Sequence, residues 1–254
     1  MKRGSIISRC LVVSFLFSVC VLSAQSLRAS PPIVGVTIQA WNYDKAKAEL
    51  SIRLVNTSQK DITGYTVSVQ TSAASGAKRN FSVSWDLMGP IARNEKDAAF
   101  HPGGYEDRTI SINSPPANPT TVDDVHVVLV VYGDETAQAE DEKTLAAFSA
   151  ARADSASAMR QVAAAVQGAI DNPADNNPGA TALKAVQALA TVASTSSGAV
   201  VFEEAINNLK QARSFVKLAT PPISERDWLR ESMVKRITQE ADALAPHTKI
   251  RRQQ

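Results

Sequence analysis

Alternation of apolar and polar residues recurs between Ile33 and Tyr132, and it constrains the fold more than any other feature of the chain. A period of two is typical of β-strands that bury one face, because successive side chains point to opposite sides of a sheet. These runs are also rich in β-branched and aromatic residues, which favour strands. The runs are Val34-Val36-Ile38, Leu50-Ile52-Leu54, Tyr65-Val67-Val69, Phe81-Val83-Trp85 and Ile110-Ile112.

A further run, from Val125 to Tyr132, is apolar at almost every position and predicts a central strand that is covered on both faces. Turn residues such as Asn42-Tyr43-Asp44 separate the runs. About seven short strands in this part of the chain predict an antiparallel β-sandwich over residues 32–134.

The composition changes after Gly133 to alanine, leucine, glutamate and lysine, which favours helices. We expect an acidic, solvated hinge at residues 135–142, a bundle of about four helices over residues 143–246 and a disordered basic tail at residues 247–254. Arg152 interrupts the apolar stripe of the first helix. The predicted helices run from Asp141 to Ile170, from Ala180 to Ala193, from Phe202 to Leu218, and onward from an N-cap at Ser224.

The first 24 residues have the pattern of a cleavable signal peptide: a basic start, an apolar run from Cys10 to Leu22 and then small residues. This run is shorter than the roughly 20 residues that a membrane-spanning helix needs, although an uncleaved anchor is the alternative. We expect a mature protein that begins near Gln25, has no integral membrane span and resides in the periplasm or outside the cell.

Both cysteines, Cys10 and Cys20, lie within this predicted signal, which excludes thiol chemistry from the mature chain. Removal of the signal takes the formal net charge from +2 to −1, because three basic residues leave with it. Neither charge indicates a nucleic-acid partner.

No catalytic residue, metal site or cofactor site is predicted. His101, His126 and His247 lie far apart in the sequence, without the spacing of a zinc site or a catalytic triad. The acidic run from Asp134 to Glu142 could offer oxygen ligands to calcium, but it lacks the alternating acids and the glycine of an EF-hand loop.

Four aromatic residues could contribute a flat surface for a sugar or a peptide, because an aromatic ring offers stacking area at little entropic cost. Trp41, Tyr43 and Tyr105 are the candidate binding surface. The alternative role is core packing, which we expect for Trp85 because it shares its face of the strand with Phe81.

The stretch from Leu54 to Val69, LVNTSQKDITGYTVSV, resembles the second-strand, turn and third-strand signature of uncharacterised exported bacterial proteins with an immunoglobulin- or fibronectin-III-like fold. The similarity continues at Pro102-Gly103 and at Val130-Val131-Tyr132-Gly133-Asp134, where the family has Asp-Gly in the opposite order. The resemblance implies an immunoglobulin-like sandwich and an exported protein, and it brings no catalytic residues.

The leading hypothesis is a non-catalytic, exported interaction or scaffold protein. Its sandwich would present loops or an edge strand to a protein or polysaccharide partner in the cell envelope, and its helices would pack or form a homo-oligomer. One alternative is an enzyme that acts on cell-wall or extracellular polymers through paired carboxylates. Another is peripheral attachment to anionic lipid through the region from Arg226 to Arg252.

Overall fold

A computed structural model describes residues 33–88, 99–112, 120–219 and 222–253. The predicted signal peptide, residues 1–24, lies outside this part of the chain. The described residues contain both strands and helices, as the sequence predicts. The strands are β1 (Val36–Asp44), β2 (Glu49–Asn56), β3 (Ile62–Ala73), β4 (Lys78–Asp86), β5 (Tyr105–Ser111), β6 (Thr120–Tyr132), β7 (Thr136–Ala139) and β8 (Arg251–Arg252).

The strands form two sheets. A three-stranded antiparallel sheet has the order β1-β2-β5, and a five-stranded sheet has the order β4-β3-β6-β7-β8. All pairs in the larger sheet are antiparallel except β7 with β8, which is parallel. β1 and β2 are joined by a tight turn in which Ala48 has a φ of 53°.

One hydrophobic core lies between the two sheets, because alternate residues of β2, β3 and β6 contribute to the same cluster. Leu50, Leu54, Tyr65 and Val67 are fully buried there. The period-two runs therefore bury the face that the alternation predicts.

The outer face of the five-stranded sheet is covered by a helix. A second, smaller cluster joins Leu129 and Val131 of β6 to Leu145 and Phe148. Gly64 in β3 lies directly beneath Phe148, and a side chain at this glycine would overlap the aromatic ring. The close approach of the helix to the sheet therefore depends on glycine at this position.

The helices are α1 (Glu142–Asp171), α2 (Pro178–Thr191), α3 (Ser196–Leu218), α4 (Glu225–Trp228) and α5 (Arg236–Leu244), and a π-helical segment, Leu229–Lys235, joins the last two. The backbone amides at the starts of α1, α2, α3 and α4 are capped by the side chains of Asp141, Asn177, Thr195 and Ser224. The cap at Ser224 confirms the start that the sequence predicts.

The helices bury their apolar stripes against one another. This cluster includes Met159, Val162 and Val166 of α1, together with Leu229 and Leu244. Packing among helices, and not only against the sheet, therefore stabilises this half of the chain.

Two segments differ from the sequence-based prediction. The expected hinge, residues 135–142, contains β7, which pairs with β6 on one side and β8 on the other. The expected disordered tail, residues 247–254, contains β8, and Ile250 packs against the smaller cluster. The Arg252 guanidinium also bonds Glu142 at 2.8 Å and the Ala139 carbonyl at 2.9 Å. Both segments are ordered by pairing with residues distant in sequence, which local composition does not reveal.

Candidate functional site

A groove of about 760 Å³ lies along the outer face of the five-stranded sheet, bounded by α1 on one side and the start of α3 on the other. Its sheet side carries hydroxyl groups from Thr66, Ser82 and Ser84. Its helical side combines small residues with Phe148 and Val200. This volume is in the range of pockets that bind small molecules or peptide side chains.

Side-chain size along α1 explains why the groove exists. Phe148 and Arg152 are four residues apart, lie on one stripe of the helix and hold it against the sheet. Ala147, Ala151 and Ser155 occupy the neighbouring stripe at the same spacing, and they line the groove. Because these three side chains are short, space remains between the helix and β4.

Arg152 fixes the end of the groove. Its side chain is 1% exposed, and its guanidinium donates to both oxygens of the Asp86 carboxylate at 2.9 and 2.8 Å. It also donates to the Thr63 carbonyl at 3.0 Å and to the His247 carbonyl at 3.2 Å. The guanidinium carbon lies 5.0 Å from the centre of the Phe148 ring. One side chain thus joins α1, the start of β3, the end of β4 and the C-terminal segment.

Trp85 lies between the core and the groove. Its ring is 5.3 Å from that of Tyr65 and packs against the core between the sheets, yet it also lines the groove. The sequence predicts a core role for this residue, and the structure gives it a half-buried position with one part in contact with the core. Trp85 can therefore both support the sandwich and contact a ligand.

A charged network lies behind Trp85. The Tyr65 hydroxyl donates to Glu106 at 2.5 Å and accepts from Arg108 at 2.9 Å. The Arg108 guanidinium also bonds Glu106 at 2.6 Å. Burial, reinforced by the Glu106 carboxylate, raises the pKa of Tyr65 far above its usual range. Burial alone would lower the pKa of Arg108, but its bonds with Tyr65 and Glu106 outweigh this and raise the pKa.

This network keeps Tyr65 neutral and Arg108 charged, so it acts as a rigid polar support. Arg108 lines the groove, and its charge is already paired with Glu106. Asp141 also lines the groove, and its pKa is lowered by its hydrogen bonds to Thr144 at the start of α1. Lys143 lies beside it.

The structure does not bring together the three aromatic residues that the sequence proposes as a binding surface. In the three-stranded sheet, Trp41 pairs with Ile52 and Tyr43 with Leu50, so both lie on the core-facing side of the sheet. Tyr43 packs against the core there, whereas Trp41 is 43% exposed. Tyr105 pairs with Val55 and therefore lies on the opposite face, where it is 68% exposed. Whether any of them contacts a ligand stays a prediction.

Tyr105 instead has a local partner. The Arg53 guanidinium lies 5.2 Å from its ring centre and forms two bonds of 2.7 Å with the Asp107 carboxylate. These groups are exposed, so solvent weakens their interaction.

The residues of the groove come from distant parts of the chain, and sequence reasoning did not identify them as a site. One signal was present in α1: an arginine at position 152 within an apolar stripe implies a buried acidic partner. Within the described ranges, no cluster of three or more His, Cys, Asp or Glu side chains could hold a metal ion. No helix in those ranges is long and apolar enough to cross a membrane.

Comparisons of the chain with protein-family models, with curated proteins and with solved structures found no match.

Proposed function

We propose that this chain is an exported, non-catalytic interaction or scaffold protein, and that the groove between β4, α1 and α3 is its binding site for a partner in the cell envelope. The observation that carries the proposal is the groove itself, a concave surface that combines hydroxyl groups on its sheet side with apolar side chains on its helical side. Binding sites commonly combine these two properties.

The rigidity of the groove supports this role. Arg152 ties the helix to the sheet through Asp86, and Tyr65 is held by two charged side chains behind Trp85. Because these groups already hold each other in place, the site loses little conformational entropy when a ligand binds.

We further propose that the two sheets form an immunoglobulin-like sandwich on which the helices dock. Its support is the core shared by a three-stranded and a five-stranded sheet, together with the resemblance of residues 54–69. Export is supported by the signal-like pattern of residues 1–24.

Site-specific photo-crosslinking in the producing cells tests the binding role. A benzophenone amino acid at Val200, which lines the groove, is expected to form a discrete adduct with an envelope component. The same amino acid at Leu218, exposed on the same helix but outside the lining of the groove, is the control and is expected to form no such adduct.

A groove-filling substitution makes the test specific. Ala151→Trp places a large ring in the groove and is expected to abolish the adduct, whereas Ala153→Trp, on the exposed side of α1, is expected to leave it. Two results would show that the groove is not the binding site. Either position 200 forms no adduct, or the adduct forms equally well in the Ala151→Trp variant.

A further inference from the structure

The free side of β4 opens onto the groove. Within the described residues, β4 pairs only with β3, so it is an edge of the five-stranded sheet. An edge strand presents backbone N–H and C=O groups that can pair with another extended chain.

The register identifies which backbone groups are free. The Leu87 N–H donates to the Thr63 carbonyl at 2.9 Å, and bonded and non-bonded pairs alternate in an antiparallel ladder. Trp85 and Val83 therefore bond to β3, whereas the N–H and C=O groups of Ser84 and Ser82 point away from it. Both serines line the groove, so these backbone groups lie at its rim.

The side chains of β4 add a gradient of charge. Lys78, Asn80, Ser82, Ser84 and Asp86 alternate onto the outer face of the strand. Asp86 is neutralised by Arg152, but Lys78 is exposed and no acidic side chain of the described chain forms an ion pair with it. The edge is therefore basic at the start of β4 and neutral at its end.

We infer that the groove takes an extended, acidic peptide segment of a partner protein, which adds as a strand to β4 and bonds the backbone of Ser82 and Ser84. This inference rests on the proposed binding role of the groove. Alternate side chains of the peptide enter the groove against Ala151 and Val200, and an acidic residue of the peptide lies near Lys78. Backbone bonds supply affinity in such complexes and the pockets supply specificity.

The test uses a synthetic peptide selected from a random library for binding to the mature chain. Amide hydrogen exchange of Ser82 and Ser84 is expected to be fast in the free protein and about tenfold slower or more with the bound peptide, because two new hydrogen bonds protect them. Val83 and Trp85 are bonded to β3 in both states and serve as internal controls.

Variants of protein and peptide isolate the backbone bond. Ser84→Pro removes an N–H that does not bond to β3, a position where an edge strand tolerates proline, and is expected to weaken binding about tenfold. Ser84→Ala keeps the N–H and removes only the hydroxyl, so it is expected to weaken binding less than Ser84→Pro. N-methylation of alternate amides in the peptide is expected to give the same loss of affinity without altering the protein. Lys78→Glu is expected to weaken the binding of acidic peptides selectively.

The outcomes separate this inference from the proposed function. If the peptide is displaced by Ala151→Trp but neither Ser84→Pro nor N-methylation affects it, strand addition is wrong and the groove remains a binding site. If no library peptide binds while position 200 still forms its adduct, the partner is not a peptide and only this inference fails. If peptide and adduct are both absent, the proposed function fails as well.

Discussion

Replacement of Arg152 by alanine tests how the helices are held on the sheet. The variant removes five hydrogen bonds, two of them to Asp86, from a side chain that is 1% exposed. Loss of one member of a buried ion pair costs about 3–5 kcal/mol, mainly because the remaining charge has no partner. The Asp86 side chain is 24% exposed, so water can solvate part of its charge. We therefore expect a loss of about 3 kcal/mol in the free energy of unfolding.

Urea denaturation of a chain that lacks residues 1–24, followed by circular dichroism, measures this loss. Arg160→Ala is the matched control: it lies on the same helix and pairs with Asp242, but its side chain is 52% exposed, so we expect a loss below about 1 kcal/mol. Adding Asp86→Ala to the Arg152 variant should recover part of the loss, because the unpaired charge is then gone. An Arg152 variant as stable as the Arg160 variant would refute the structural role assigned to this ion pair.

Three further predictions concern titration and the C-terminal strand. The raised pKa of Tyr65 stabilises the fold below pH of about 10, and this contribution is lost as the pH rises towards the pKa of Tyr65 in the folded protein. Tyr65→Phe should therefore make the free energy of unfolding decrease less steeply with pH in the alkaline range. Hydrogen bonds from Lys60 and Thr136 hold the pKa of Asp134 at about 2. The stabilising contribution of Asp134 is therefore present above pH of about 4 and lost as the pH falls through 2. NMR titration of the Lys60→Ala variant should show a higher titration midpoint for Asp134. Deletion of residues 249–254 should accelerate amide exchange in β7, where Ala137 otherwise lies beside β8, and unchanged exchange would argue against that pairing.

The strands that the sequence reveals are those whose burial follows a local period. β1 to β5 contain alternating apolar residues, as at Leu50 and Leu54. β6 is apolar at almost every position because the core covers one of its faces and α1 covers the other. β7 has four residues and β8 has two, both arginines, so neither contains a recognisable alternation. Their strand conformation comes from pairing with each other and with β6, which depends on tertiary structure.

The candidate site was harder to predict because its residues meet only in three dimensions. Arg152 and Asp86 are 66 positions apart, and nothing near either residue identifies its partner. The position of Trp41 depends on a register shift between Ile38 and Ala40, which puts Trp41 on the core-facing side with Ile38. Simple alternation from Ile38 would place Trp41 outside, so a single bulge reverses the expected face.

The parallel pairing of β8 with β7 determines when the five-stranded sheet can be completed. Arg252 lies more than 100 residues after its partner Ala137, so the ribosome must complete α1 to α5 before that side of β7 can be closed. Until then, β7 has β6 on one side and an open row of backbone groups on the other, where a second nascent chain could pair. The five-stranded sheet is thus finished only after the helices have been synthesised, and the open side of β7 is a place where partly folded chains can pair until then.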